Sequence, residues 1–310
     1  LGRDAFTGGR LGATTIEATL RALEGFRRIM DAYGVVRYRA VATSAVREAV
    51  NRDTFLDRVR LRTGIDVEVI DGSEENRLSY VAVREALREH EAFTGGDTLL
   101  VEVGGGSADL SFLRRGEPVY SGTYALGAIR MRQNLAAWHG SHDQRVRLFH
   151  RTVQNIVEDI RREMPLREAK HFLALGGDAR FVADQIVGDD SGTAARDFPR
   201  ERFLSFCEQT VALDDEQLVE AYRLPLSEIE TLVPALLVYR ELLLETQAEK
   251  VLVPEATLRA GLLLDMVRAD EGHGIEDFSR QVLASAAALG AKYRYDARHA
   301  AHVASLATRL

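Results

Sequence analysis

At 310 residues, with 46% hydrophobic and 28% charged residues, the chain is long enough for two domains with cores of their own and has an ordinary globular composition. Its formal net charge of −7 excludes a general nucleic-acid or membrane-surface binder, so neither DNA nor a membrane is expected as a partner, while local arginine clusters leave a polyanionic substrate open. Cys207 is the only cysteine, which excludes a disulfide framework and a thiolate metal site, and without a signal peptide or an apolar run of about 20 residues a cytoplasmic location is expected.

The opening GRDAFTGGR reads as a loop, and Thr14–Gly34 as a helix carrying Ile16, Leu20, Leu23, Ile29 and Met30 at helical spacing. Val35–Ala42 alternates like a strand and runs straight into Thr43, Ser44 and Arg47. A hydroxyl pair and an arginine at a strand-to-helix junction suit a phosphate, and they equally suit a helix cap with a solvated arginine. A helix over Asp53–Thr63 and a strand over Ile65–Ile70 lead to DGSEENRLSYVAVREAL, a turn into a long amphipathic helix with Ser73 as its expected N-cap. Glu74 and Glu75 lie in its first turn, where the helix dipole favours negative charge. Either could also project over the sheet edge as a general base, and the residues alone do not choose between them.

After a polar connection at Glu91–Asp97 comes TLLVEVGGGSADLSFL, Thr98–Leu113, around which the rest is arranged. Leu99, Leu100, Val101 and Val103 form the continuous apolar run of a central strand. Gly104, Gly105 and Gly106 allow a sharp turn and bring backbone N–H groups close to an anion. Glu102 and Asp109 flank the turn, so two carboxylates could face one polyanion through a divalent cation; a plain hairpin with solvated acids fits as well.

A strand over Pro118–Ala125 and helices over Gly127–Leu135 and Asp143–Met164 follow. A short strand, His171–Leu175, then runs into Gly176, Gly177 and Asp178, a second strand–glycine–helix turn. Asp189–Pro199 reads as a polar loop, Pro199–Gln247 as mostly helical, Lys250–Pro254 as a buried strand and Thr257–Asp270 as a helix. Glu271–Gly274 reads as a linker, and the alanine-rich Phe278–Leu310 as the start of a helical region that is expected to continue past the last residue. His299 and His302 there are three apart on one helix face, and read as ordinary helix residues.

Four motifs in this order, VATSAVREA (Val41–Ala49), GSEENRLSY (Gly72–Tyr80), VEVGGGSADL (Val101–Leu110) and YALGAIRM (Tyr124–Met131), resemble the exopolyphosphatase / guanosine pentaphosphate phosphohydrolase family. LRAGLLLDMV (Leu258–Val267) resembles it weakly. That family shares the fold group of sugar kinases, heat-shock-70 proteins and actin. The resemblance implies an α/β fold with two actin-like (ribonuclease H-like) domains, residues 1–94 and 95–270, with a cleft between them. The start of an all-helical HD-like region would follow over 271–310. It implies hydrolysis of the terminal phosphoryl group of inorganic polyphosphate or guanosine pentaphosphate with magnesium or another divalent cation, in a full-length homodimer. On this chain the family's catalytic glutamate falls on Glu75 and its phosphate-binding residues on Arg47, Gly104, Gly105, Gly106 and Ser107. Its metal-linked acids fall on Glu102 and Asp109.

The chain departs from the family pattern at three places. Glu102 stands where the family has Asp and Asp109 where it has Glu, an exchange of lengths that is expected to compensate. Asn76 replaces a small residue beside the catalytic glutamate. The family's Asp-x-Gly-Ser phosphate loop is expected before Leu1. Two other functions fit the same motifs: an ATP-dependent kinase using Gly176–Asp178 as an adenosine turn, and a non-catalytic sensor of an alarmone or polyphosphate.

Overall fold

The computed structural model describes residues 1–134, 140–188, 193–270, 283, 286–287, 290 and 293–309. The first part carries α1 (Gly2–Gly8), α2 (Ala13–Ala32), β1 (Ala40–Ala42), α3 (Ser44–Arg47), α4 (Arg52–Thr63) and β2 (Val67–Val69). β1 and β2 pair in parallel, with Ala40 opposite Val67 and Ala42 opposite Val69. Ala5, Ile16, Leu20, Val46, Phe55, Val59 and Ile65 close a core beside this small sheet.

Next come α5 (Gly72–Ala86), α6 (Glu91–Thr94), β3 (Asp97–Val103), β4 (Ala108–Arg114), β5 (Glu117–Tyr124), α7 (Ala128–Asn134) and α8 (His142–Glu163). They are followed by β6 (His171–Leu175), α9 (Gly177–Val187), β7 (Ala195–Pro199), α10 (Arg200–Val211), α11 (Asp215–Tyr222), α12 (Leu226–Leu244), β8 (Lys250–Pro254) and α13 (Leu258–Asp270). A last helix, α14 (Ala297–Ala307), buries none of its residues. The second sheet runs in the order β5-β4-β3-β6-β8-β7. Its centre, β3, β6 and β8, is parallel, and β4, β5 and β7 are antiparallel additions.

The two-residue period of a strand sorts β3 between two cores. Leu99, Val101 and Val103 join the core under α8, α10 and α12, where Val153, Phe203, Leu236 and Tyr239 are buried. Leu100 joins the opposite core under α5 and α6, with Tyr80, Val83, Leu87 and Phe93. The same alternation carries Glu102 and Asp109 onto the α5 side, since the two are register partners across the β3–β4 hairpin.

Several expectations are corrected. The opening is helical, because Ala5 and Phe6 pack into the first core and Gly9 closes the helix in the left-handed conformation at φ 66°. Only Ala40–Ala42 of the expected Val35–Ala42 strand pairs, and Val35 and Val36 are exposed. Ile29, placed on the buried face of α2, is also exposed. Asp71 replaces Ser73 as the cap of α5, its carboxylate accepting the Glu74 N–H at 2.9 Å. Glu91–Asp97 holds a turn of helix that buries Ala92 and Phe93. Ala195–Pro199, expected in a loop, is the sheet's edge strand, paired antiparallel with β8. Proline is tolerated there because an edge leaves N–H positions unused. The end of the helix expected to reach Leu135, the first residues of the Asp189 loop and the 271–274 linker lie outside the described residues, as does much of the expected C-terminal helix.

Candidate active site

The glycine turn is a four-residue hairpin loop closed by the Gly104 N–H donating to the Ser107 carbonyl at 2.9 Å. Its carbonyls are taken by α7: the Ala128 N–H donates to Gly104 and the Arg130 N–H to Gly105, at 2.9 and 3.0 Å. The Arg130 side chain donates to the Gly106 carbonyl at 2.6 Å and to Glu48, just after α3, at 2.5 Å, and lies 4.5 Å from the Phe6 ring centre. With its carbonyls occupied, the loop leaves the N–H groups of Gly105, Gly106 and Ser107 without an acceptor among the described residues. Successive free amides in a turn are the kind of backbone that can receive an anion; of the three residues, Gly105 lines the adjoining cleft, and Gly106 and Ser107 are buried beside it. A Cβ at Gly106 would stand 2.3 Å from both Phe6 and Ser44, and one at Gly127 2.1 Å from the Gly106 backbone, so only glycine lets these segments meet.

Glu75 sits in the first turn of α5, largely buried, and accepts from the Arg47 guanidinium at 2.6 Å. The same Arg47 nitrogen donates to the Ile70 carbonyl at 2.5 Å, which fixes the guanidinium between β2 and α5. Glu74 points elsewhere. Arg77 grips both its oxygens at 2.8 Å, and Arg39 adds a contact at 3.3 Å. Both arginines also hold Asp265 of α13, at 2.7 and 2.9 Å. Arginines thus separate the two glutamates: Glu74 belongs to a network with Arg77, Arg39 and Asp265, and Glu75 pairs with Arg47 within reach of the charges of Glu102 and Asp109.

Asp109 is buried and accepts from the Thr123 hydroxyl at 2.6 Å and from Asn76 Nδ2 at 3.4 Å. Asn76 also donates to the Gly72 carbonyl at 3.1 Å and accepts from Ser111 at 3.2 Å. Glu102, half-buried, accepts from Ser79 of α5. Burial pushes the Asp109 carboxyl up to about 8 against the Thr123 hydrogen bond, and the charges of Glu75 and Glu102 add to the rise. Burial likewise lifts Glu102, opposed by its Ser79 hydrogen bond and the charge of Arg180. Burial lifts Glu75 too, with Glu102 and Asp71 adding and Arg47 opposing. The expected residues Arg47, Glu75, Glu102 and Asp109 therefore form one electrostatic cluster beside the glycine turn.

Asn76, Ser79, Ser111, Thr123 and Arg130 were not singled out by sequence as supports of the site. Ser79 carries a legible signal, since its position four after Glu75 places it on the same face of α5; Asn76, at the next position, has no such spacing and meets Asp109 and Ser111 of β4 and Thr123 of β5 only through the fold. Hard carboxylate oxygens, desolvated and of like charge, suit an oxygen-seeking divalent cation. Among the described residues no three acidic or histidine groups form a complete metal cluster. The pair Glu102–Asp109 matches the way magnesium is held, by one or two carboxylates with substrate phosphates supplying further oxygens. Beside the pair, at the C-terminal ends of β3, β6 and β8, opens a cleft of about 470 Å3 lined by Gly104, Gly105, Gly176, Gly177 and Thr257 among others. Clefts at this end of parallel strands are where α/β sheets take ligands.

The pattern of the Ppx/GppA phosphatase family matches residues 2–270. Exopolyphosphatase 2 of Mycobacterium tuberculosis is 31% identical over 182 residues, covering 57% of this chain and 56% of that protein. Exopolyphosphatase 1 of Mycobacterium leprae is 34% identical over 123 residues, 40% of this chain and 35% of that protein. The chain thus spans about a third to just over half the length of these relatives. Among solved structures, the exopolyphosphatase from Cytophaga hutchinsonii superposes with a TM-score of 0.77 at 20% identity, over 85% of each chain. The Aquifex aeolicus Ppx/GppA protein superposes with a TM-score of 0.70 at 21% identity, over 87% of each. These likenesses show the mixed α/β fold. No helix among the described residues is long and apolar enough to cross a membrane.

Proposed function

The chain belongs to the Ppx/GppA phosphatase family, and from that premise we propose that it hydrolyses the terminal phosphoanhydride bond of inorganic polyphosphate or guanosine pentaphosphate. The observation that carries this reading is the convergence of Glu75, Glu102 and Asp109 beside a turn with three consecutive free N–H groups. Terminal phosphoryl transfer asks a protein for positioning and charge neutralisation more than for covalent chemistry. The amides of Gly105, Gly106 and Ser107 take the oxygens of the terminal phosphate. Glu75, its carboxyl lifted by burial, orients a water and accepts its proton, while Arg47 holds that carboxylate in place. The water oxygen bonds to phosphorus, the bridging P–O bond breaks with its electron pair on the shortened chain, and inorganic phosphate leaves. A divalent cation held by Glu102 and Asp109 would supply neutralisation of the phosphate oxygens. Residues 1–94 and 95–270 act as the two domains facing across this site.

Phosphate release from each substrate by the full-length protein with magnesium tests the proposal. Glu75→Gln keeps the size of the side chain and removes the base, and should lower kcat about 100-fold or more. No release from either substrate, or a Glu75→Gln variant as fast as the parent, sinks it.

A further inference from the structure

One polar atom in the large core is not explained by packing. Of the aromatic side chains less than 2% exposed among the described residues, Phe112, Phe172, Phe198 and Phe203 carry no polar group, and only Tyr239 of α12 carries a hydroxyl. That hydroxyl accepts from the Val103 N–H at 3.2 Å and donates to the Leu175 carbonyl. Burial, with the charge of Asp178 adding, keeps it protonated far above the usual phenol range, so it remains a donor at any working pH.

The two groups it holds belong to the last residues of neighbouring parallel strands, β3 and β6, which run in register with Glu102 opposite Leu175. Alternation along β3 turns the Val103 N–H toward β6, because the next N–H, that of Gly104, is turned to Ser107 on the β4 side. The Val103 N–H and the Leu175 carbonyl therefore face each other across the ladder and need no side chain to satisfy them. The hydroxyl joins them from the helix layer, at the point where both glycine turns leave the sheet. It also lies under the second turn: a Cβ at Gly176, whose φ is 108°, would stand 3.3 Å from it and 3.1 Å from the Val103 carbonyl.

We propose that Tyr239 is a positioning residue, clamping the ends of β3 and β6 and so fixing the separation of the two glycine turns and the place of Glu102 beside them. Its effect on turnover rests on the hydrolase reading; the clamp does not. Phosphoryl transfer needs donors and charges already aimed where charge develops. A small displacement of those groups slows the reaction while the protein stays folded. Phenylalanine would fill the same space in the core, so the hydroxyl serves the strand ends and not the packing.

The test is Tyr239→Phe in the full-length protein, which keeps the ring in the core and removes only the hydroxyl. Tyr80→Phe is the matched control. The Tyr80 hydroxyl is also buried and donates to a backbone carbonyl, that of Gly116, at the end of β4 away from the glycine turn. Both variants should lower Tm by a few degrees. Amide hydrogen exchange on the ligand-free proteins separates them: Tyr239→Phe should speed exchange at Val103 and Gly104 about tenfold or more, and Tyr80→Phe should leave these amides as in the parent. With magnesium and polyphosphate or guanosine pentaphosphate, Tyr239→Phe should lower kcat about tenfold and keep KM within about twofold. Tyr80→Phe should keep the parent's kcat. Exchange at Val103 and Gly104 that is unchanged, or changed equally by the two variants, overturns the clamp. Faster exchange with an unchanged kcat overturns the positioning role. If the parent releases no phosphate from either substrate, the hydrolase reading fails alone, and the exchange result still decides the clamp.

Discussion

At the scale of single residues, the site stores an electrostatic penalty that can be measured. Asp109 has its carboxyl pushed up to about 8 by burial and by neighbouring acids, whereas an unfolded Asp ionises near about 3.9. Between those values the folded state binds the extra proton, so stability falls as pH rises from about 4 to about 8. Asp109→Asn keeps an oxygen for Thr123 and cannot ionise. It should match the parent near pH 4 and exceed it by up to a few kcal/mol near pH 8, measured by denaturation without magnesium. Adding magnesium should narrow the gap by stabilising only the parent. The exchanged lengths of Glu102 and Asp109 give a second measurement. The two are register partners across the hairpin, so a methylene gained on one side meets one lost on the other. If they compensate, the double variant Glu102→Asp/Asp109→Glu should be more active than either single change. Glu102→Asp alone raising activity sharply, with Asp109→Glu doing nothing, would show that they do not. Much of this cluster was legible in sequence because its acids flank a glycine triplet. The orientation of Glu75 against Glu74 was not, because it is set by Arg39 and Arg77, whose partner Asp265 is 188 residues from Arg77 in the chain.

At the scale of elements, α5 is the piece that ties chemistry to scaffold. Its first turn carries Glu75, its inner face packs on the central sheet through Tyr80 and Val83, and its flank meets α13 through Arg77 and Asp265. Arg77 is buried, so removing the charge of Asp265 leaves a guanidinium with one acid in place of two. Asp265→Asn should therefore destabilise the fold by about 3 kcal/mol at neutral pH, read by urea denaturation. The sign with pH follows from the neighbouring arginines, which hold the Asp265 carboxyl below the ordinary range despite its burial. Its stabilisation is full above the unfolded pKa and is lost as pH falls through the lower folded one, so the gap between parent and variant should close below about pH 4. Long periodic helices and apolar strands were readable at this scale, as α8, β3, β6 and β8 show. Elements made by partners were not. β7 exists because β8 offers it an edge, and α1 because Ala5 and Phe6 find a core formed by later residues.

At the scale of the whole molecule, the small first sheet and the larger second one meet at the glycine turn. Phe6 of α1 and Ser44 of α3 press against Gly106, and Arg130 of α7 joins the Gly106 carbonyl to Glu48, just after α3. The glycine turn is therefore also a joint between the two halves, which requires glycine at 106 even apart from any ligand. Gly106→Ala puts a methyl group 2.3 Å from both the Phe6 ring and the Ser44 hydroxyl, a distance no relaxed pair of atoms keeps. The halves must part or the turn must tilt, and the change should destabilise by about 1–3 kcal/mol, as overpacked sites do. If the joint is the cause, removing the ring with Phe6→Ala should make room, and the double variant should be more stable than the sum of the two single effects by about 0.5 kcal/mol or more. A turn that failed for local reasons, such as lost backbone freedom, would give additive effects. Activity separates the two roles of the turn further. Relief of the clash should restore stability before it restores phosphate release, because the free amides must regain their aim at the anion as well as their packing.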